Sequence, residues 1–188
     1  MRAFIINTLL KFLTNVEKFI SLVFRKDIIL ISKLINKETF KTIQIGNKNI
    51  DFYIPNQNII WRVKTLFSKE PETIDFINKF SNKKKIIFWD IGSNIGLYSI
   101  YAAVIHKNIE VISFEPSITN LRTLGLNISR NKLTKKIKII TNPLSDKTNC
   151  LSTMKETSSE EGSALNTFRE NFDFQGKSFK SKLEYQLL

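Results

Sequence analysis

Asp90-Ile91-Gly92-Ser93-Asn94-Ile95-Gly96 puts an acid, two glycines and two small polar residues into seven positions. The acid closes an apolar run, IIFWD, and an apolar stretch at helical spacing resumes straight after Gly96. Glycine lets a backbone turn tightly and approach a ligand closely. The start of the helix that follows leaves free N–H groups for an anion, and Asn94 is expected to cap that helix. A second acid, Glu115, ends the next apolar run, VISFE, 23 positions after Gly92. In a βαβ unit an acid at that spacing takes the hydroxyls of a ribose.

Two cofactor classes share this layout. A dinucleotide brings a pyrophosphate, and its fingerprint is G-x-G-x-x-G with no acid in the cradle. Here Asn94 stands where the middle glycine belongs, and no third glycine follows Gly96. Asp90 at the strand end would repel a pyrophosphate. S-adenosylmethionine has no phosphate; it carries an ammonium and a sulfonium, which a carboxylate favours, and one carboxylate that suits the helix start. The charges therefore select S-adenosylmethionine, with Glu115 on its ribose. The alternative is a glycine loop that only packs a helix on a strand and binds nothing.

The elements that must position these residues follow from periodicity. Strands are expected at 85–90, 110–115 and 136–141. Helices are expected at 95–106 and at 118–130, the latter burying Leu121, Leu124 and Ile128. Strand and helix in alternation imply an α/β fold with a parallel sheet, and such sheets bind ligands beyond the carboxyl ends of their strands. Upstream, residues 4–24 read as an amphipathic helix. KTIQIGNKNIDFYIPN reads as a hairpin turning near 46–49, and IIWRVKTLF as a short helix. A further helix begins at Pro71, with Ile74, Ile77 and Phe80 as its buried stripe. Residues 145–182 are polar and read as loop with at most a weak hairpin. The ending LEYQLL is apolar with nothing after it to cover it. Residues 1–80 thus form a helical and hairpin extension, and 81–188 the ligand-binding domain.

The chain has 188 residues, of which 42% are hydrophobic, enough for a buried core. Its net charge of +12 comes from lysines scattered along the sequence among abundant Ile and Asn. No arginine cluster, zinc signature or aromatic binding strand accompanies them, so no specific nucleic-acid partner is expected. Cys150, the single cysteine, excludes an internal disulfide and reads as a plain thiol. His106, the single histidine, lies at the far end of its helix from the strand tips and is not expected to act as a base. Lys11, Glu17, Lys18, Arg25, Lys26 and Asp27 interrupt the apolar N-terminal region. No segment there reaches the roughly 20 residues of a membrane span, no signal peptide is evident, and a cytoplasmic location is expected. Helix 4–24 either packs on the body of the protein or lies on an anionic membrane surface. In the second case, sedimentation with anionic vesicles should fall when Lys11 and Lys18 become Glu.

The stretches FWDIGSNIGLYSIYAA, VISFEPSITNLRTLGLNISRN and IKIITNPLSDKT, within about Ile86 to Leu151, resemble the FkbM-type family of S-adenosylmethionine-dependent methyltransferases. LFSKEPETIDFI is similar, more weakly, to the segment before the first strand in some members. The resemblance implies a Rossmann-like class I methyltransferase sheet and methyl transfer to an oxygen of a small molecule or sugar. It implies that Asp90, Gly92, Asn94 and Gly96 form the methionine-side loop, with Ser93 contributing backbone. Glu115 would bind the ribose, Pro116 and Ser117 would lie against the adenine, and Asn142 would face its edge. No metal is implied. Members continue into a further strand with an acid-Gly motif that nothing here matches. The expectation is therefore a C-terminally truncated, incomplete sheet, poorly soluble or loosely packed and inactive by itself. The rival expectation is a non-catalytic nucleotide-binding remnant.

Overall fold

The computed structural model describes residues 2–24, 39–81, 84–147, 151–173, 175–178 and 180–188. Cys150, Arg25, Lys26 and Asp27 lie outside them. The chain divides into two compact units, Met1–Glu38 and Thr39–Leu188.

In the first unit, helix α1 runs from Arg2 to Phe24. Thr8, Thr14 and Ser21 each donate a hydroxyl to the carbonyl four residues earlier, at 2.8–2.9 Å, so these polar side chains satisfy themselves along the helix. No helix among the described residues is long and apolar enough to cross a membrane.

In the second unit, strands β1 (Phe40–Ile45) and β2 (Lys48–Tyr53) form the expected hairpin, turning at Gly46 and Asn47. Helices α2 (Gln57–Lys64) and α3 (Pro71–Asn78) follow. Then come β3 (Ile86–Ile91), α4 (Leu97–Ile105), β4 (Ile109–Phe114), α5 (Ile118–Arg130) and β5 (Ile137–Ile140). The three strands pair in parallel in the order β3-β4-β5, as the alternation of strand and helix requires. Ile100, Ala102 and Ala103 of α4 and Leu124 and Ile128 of α5 pack with Val111 and Ile137 of the sheet. Ile45, Ile50 and Phe52 of the hairpin and Ile59, Val63 and Leu66 belong to the same core.

Asn127 of α5 and Asn131 at its C-cap tie the hairpin to this core. Asn127 accepts the Tyr53 N–H at 2.8 Å and donates to the Ile95 carbonyl at 2.9 Å. Asn131 accepts from Asp51 N at 2.9 Å and donates to Asp51 O at 2.7 Å. Side-chain amides thus supply the edge of β2 with the partners a further strand would have given.

The C-terminal region corrects the sequence reading. Where loop with a weak hairpin was expected, β6 (Ser152–Glu156), β7 (Thr167–Phe168) and β8 (Leu183–Leu187) form an antiparallel sheet in the order β7-β6-β8. The apolar ending is not partnerless, because β8 pairs with β6 along its length and leaves Leu183, Tyr185 and Leu187 half-buried, with Leu188 exposed. The inward positions of β6 are Met154 and the fully buried Glu156. Glu156 accepts from Thr119 Oγ1 at 2.7 Å and from the Tyr185 hydroxyl at 2.5 Å. That hydroxyl also accepts the Ile118 N–H at 3.0 Å, which fastens the antiparallel sheet to the start of α5. Burial and the Glu156 carboxylate push the Tyr185 pKa upward, so the hydroxyl keeps its proton, with Glu156 and the Pro116 carbonyl both within reach of it.

Candidate functional site

β3 and β4 deliver their ends side by side: Asp90 is in register with Ser113, and Ile91 with Phe114. The N–H groups of Gly92 and Ser93 both reach the Phe114 carbonyl, at 2.9 and 3.0 Å, which folds the chain back over the strand tips. Gly92 (φ +73°), Asn94 (φ +52°) and Gly96 (φ +84°) take the left-handed conformation needed to complete the turn before α4.

Asn94 does not cap α4; the cap position is Gly96. A left-handed Asn94 puts its side chain elsewhere, with Oδ1 on the Ile95 N–H at 3.0 Å and Nδ2 on the Ser163 carbonyl at 2.7 Å. The carboxylate at the helix start is that of Asp90. It is buried beneath the loop, accepts the Ser99 hydroxyl at 2.5 Å and faces the Ser99 backbone N–H, and Ser99 in turn meets Ser113 Oγ at 2.6 Å. An acid set against the N-terminal end of a helix is well placed against its dipole.

Burial raises the Asp90 pKa, and the bonds from Ser99 oppose that only in part. The native state therefore holds this proton more tightly than the unfolded chain. Its contribution to stability is fully present below the ordinary aspartate value of about 3.9 and is lost as pH rises through the raised value. Asp90→Asn should gain stability relative to wild type as pH rises across that window. Thermal unfolding at a series of pH values checks this, and a pH-independent difference between the two proteins would contradict it.

Glu115, just past β4, is only 4% exposed. Its Oε2 accepts the Asn94 N–H at 2.6 Å and its Oε1 the Ser117 N–H at 2.9 Å. Burial pushes its pKa up, while these N–H groups and Asn120 pull it back. Ser117 is fully buried and caps α5 through its side chain.

Two cavities flank the loop. One, of about 230 Å³, is walled by Arg62, Leu66, Lys69, Glu70, Ser93 and Tyr98, among others. The other, of about 190 Å³, is walled by Glu115, Pro116, Asn120 and Met154, among others. Gly92, Asn94 and Ala164 line both, so the two are lobes of one groove. Each is smaller than the roughly 300–1,000 Å³ of a usual ligand pocket, and together they reach that range.

The segment between the lobes is clamped in place. Gly162 O accepts from Arg62 Nε at 2.6 Å and from Asn58 Nδ2 at 2.8 Å, and Gly162 N–H donates to Asn120 Oδ1 at 2.8 Å. Ser163 O accepts from both Asn94 and Asn120. Gly162 has φ +80°, and a Cβ there would lie 2.7 Å from Ile59 Cγ1. Gly162→Ala is expected to unseat this segment and lower the melting temperature. Thermal unfolding checks it, and an unshifted melt would show that the clamp contributes nothing.

No family model matches the chain, and no curated protein matches it. Several solved structures overlap part of it. PRMT6 is 21% identical over 45% of this chain and 25% of its own, with a TM-score of 0.36. An O-methyltransferase family protein from Burkholderia thailandensis is 12% identical over 47% of this chain and 26% of its own, with a TM-score of 0.38. TYW2 from P. horikoshii, solved in complex with MeSAdo, is 19% identical over 57% of this chain and 37% of its own, with a TM-score of 0.41. The chain thus spans well under half the length of each.

Of the residues singled out in the sequence, the fold gathers Gly92, Ser93, Asn94, Glu115 and Pro116 around the groove. Four stand apart from its walls. Asp90 lies beneath the loop, and Gly96 is closed off by Leu124. Ser117 caps α5, and Asn142 donates to the Leu188 carbonyl at 2.9 Å in a separate surface cleft. Arg62, Glu70, Tyr98 and the residues 163–166 enter the walls without having been expected. His106 is buried against the Ile77 carbonyl, 2.8 Å from Nε2, away from the groove.

Proposed function

We propose that this chain binds S-adenosylmethionine across the two lobes and is the cofactor-binding part of an FkbM-type methyltransferase acting on an oxygen of a small molecule or sugar. Glu115 carries this reading. It is a buried acid at the tip of the middle strand, in the wall of the second lobe, and two backbone N–H groups hold it there. A carboxylate offers about four lone-pair positions; the Asn94 and Ser117 N–H groups and Asn120 Nδ2 take three, which leaves one on Oε2 for a ribose hydroxyl. The residues fit the cofactor beyond that contact as well. Pro116 gives the adenine an apolar wall, and Gly92 brings bare backbone to the junction of the lobes. Discrimination against a pyrophosphate falls to Glu115 in the second lobe, and not to the buried Asp90.

S-adenosylmethionine supplies a methyl group on sulfonium, which an acceptor oxygen displaces to leave S-adenosylhomocysteine. The chain's own part is to bind and orient. Burial and Glu70 push the Tyr98 pKa upward, and its hydroxyl lies 3.0 Å from Glu70 Oε2. Tyr98 therefore keeps its proton at neutral pH and donates it to Glu70 in the wall of the first lobe. Calorimetric titration tests the reading. S-adenosylhomocysteine should bind while NAD and NADP do not, and preference for a dinucleotide would overturn it.

A further inference from the structure

Helix α1 has two apolar sides, and only one of them is covered. Leu10, Leu13 and Ile20 are half-buried and Glu17, on the same side, is buried. Were packing the whole task of the helix, its apolar surface would end there. Instead Ile5, Leu9, Phe12, Val16, Phe19 and Val23 recur at intervals of three and four, form a second stripe along the helix, and are each 37–66% exposed. An open apolar stripe of this length marks an interaction surface.

Charge says what covers it. Lys11 and Lys18 directly precede Phe12 and Phe19, about 100° around the helix from them. Both are exposed, and among the described residues neither forms an ion pair. The one acid of α1, Glu17, is buried on the covered side, so the open side of the helix is positive. The net charge of +12 adds a longer-range pull toward an anionic surface. Phenylalanines on one face and lysines on the next, in a helix not apolar enough to cross a bilayer, suit a helix lying in the plane of a membrane interface. Lysine stems can run along the apolar surface and put their ammonium groups among the headgroups. A second copy of α1 fits the stripe less well. A coiled-coil seam is steered by charges on its flanks. Here the flanks are Thr8, Asn15 and Leu22 on one side and Ile6, Leu13 and Ile20 on the other, all uncharged.

We propose that α1 is a peripheral membrane anchor: the Ile5–Val23 stripe inserts at the surface of a bilayer of anionic phospholipid, and Lys11 and Lys18 engage the headgroup phosphates. This holds whatever the groove binds.

Co-sedimentation of the full chain with two kinds of vesicle tests it, one of phosphatidylcholine alone and one with phosphatidylglycerol in equal part. Wild type should bind the second at least about tenfold more tightly. Phe12→Ala with Phe19→Ala removes two exposed rings and installs the best helix former, so the protein should melt as wild type does. Its affinity for the anionic vesicles should nevertheless fall at least about tenfold. Lys11→Glu with Lys18→Glu should lose a similar factor, and carries the test if the phenylalanine pair does not fold. Lys135→Glu with Lys147→Glu makes the same change of charge in the second unit, and should lose less than about threefold. Wild type binding neither vesicle overturns the anchor, as does undiminished affinity in the folded phenylalanine pair. Equal losses from the two lysine pairs also overturn it, since binding would then follow net charge alone. So does a wild-type dimer in analytical ultracentrifugation that the phenylalanine pair converts to a monomer, which would make the stripe a seam between copies.

Discussion

Glu115→Ala should weaken S-adenosylhomocysteine binding by roughly 1–3 kcal/mol, the cost of leaving buried polar partners unmatched. That is a loss of about fivefold to 150-fold in affinity. The same substitution should loosen the loop itself. Glu115 is the acceptor for Asn94 N–H at 2.6 Å and Ser117 N–H at 2.9 Å, and alanine leaves both donors unmatched. Amide hydrogen exchange at Asn94 and Ser117 should quicken, while exchange at Val111 in the middle of β4 stays slow. Affinity and exchange both unchanged in a folded variant would mean that the ribose lies elsewhere and that the loop closes without this acid.

Two glycines of the same loop should respond very differently to one added methyl. Gly92 and Gly96 are both left-handed, at φ +73° and +84°, so alanine is strained at either by about 1–2 kcal/mol. At Gly92 a Cβ meets nothing within 4 Å, whereas at Gly96 it would lie 2.5 Å from Leu124 Cδ1. Leu124 is fully buried in the core and cannot retreat without displacing its neighbours. Overpacking of that kind adds a further 1–3 kcal/mol or so. Gly96→Ala should therefore lose about 2–5 kcal/mol and melt on the order of 5–15 °C lower. Gly92→Ala should melt only a few degrees lower by the same scaling, with its larger effect on ligand affinity. Equal losses of stability at the two positions would contradict the packing role of Gly96.

That division of labour between two glycines four apart could not be read from DIGSNIG. The sequence tells that a tight turn is needed; which glycine faces the groove and which faces Leu124 depends on α5, more than twenty residues further on. The same limit applies to Asp90. Its place at a strand end was legible from IIFWD, but its orientation depends on Ser99, a helical turn beyond the loop, and on Ser113 in the neighbouring strand. The parallel core was readable because Ile86–Ile91, Ile109–Phe114 and Ile137–Ile140 are apolar runs between helical patterns, and each was anticipated to within a residue at either end. The antiparallel sheet was not, because Ser152–Glu156 is polar at most positions and turns a glutamate inward. A buried Glu156 answered by Thr119 and Tyr185 imitates a solvated strand in the sequence. The clamp on Gly162 and Ser163 depends on Asn58, Arg62, Asn94 and Asn120, contacts 42 to 104 positions apart that no local pattern announces.

The central claim is that Glu115 holds a ribose at the tip of the middle strand. A crystal structure of the chain soaked with S-adenosylhomocysteine measures it directly. A ribose hydroxyl should lie within hydrogen-bonding distance of the Glu115 carboxylate, with the adenine against Pro116. A ribose bound away from Glu115, or a fully occupied ligand outside both lobes, would contradict it.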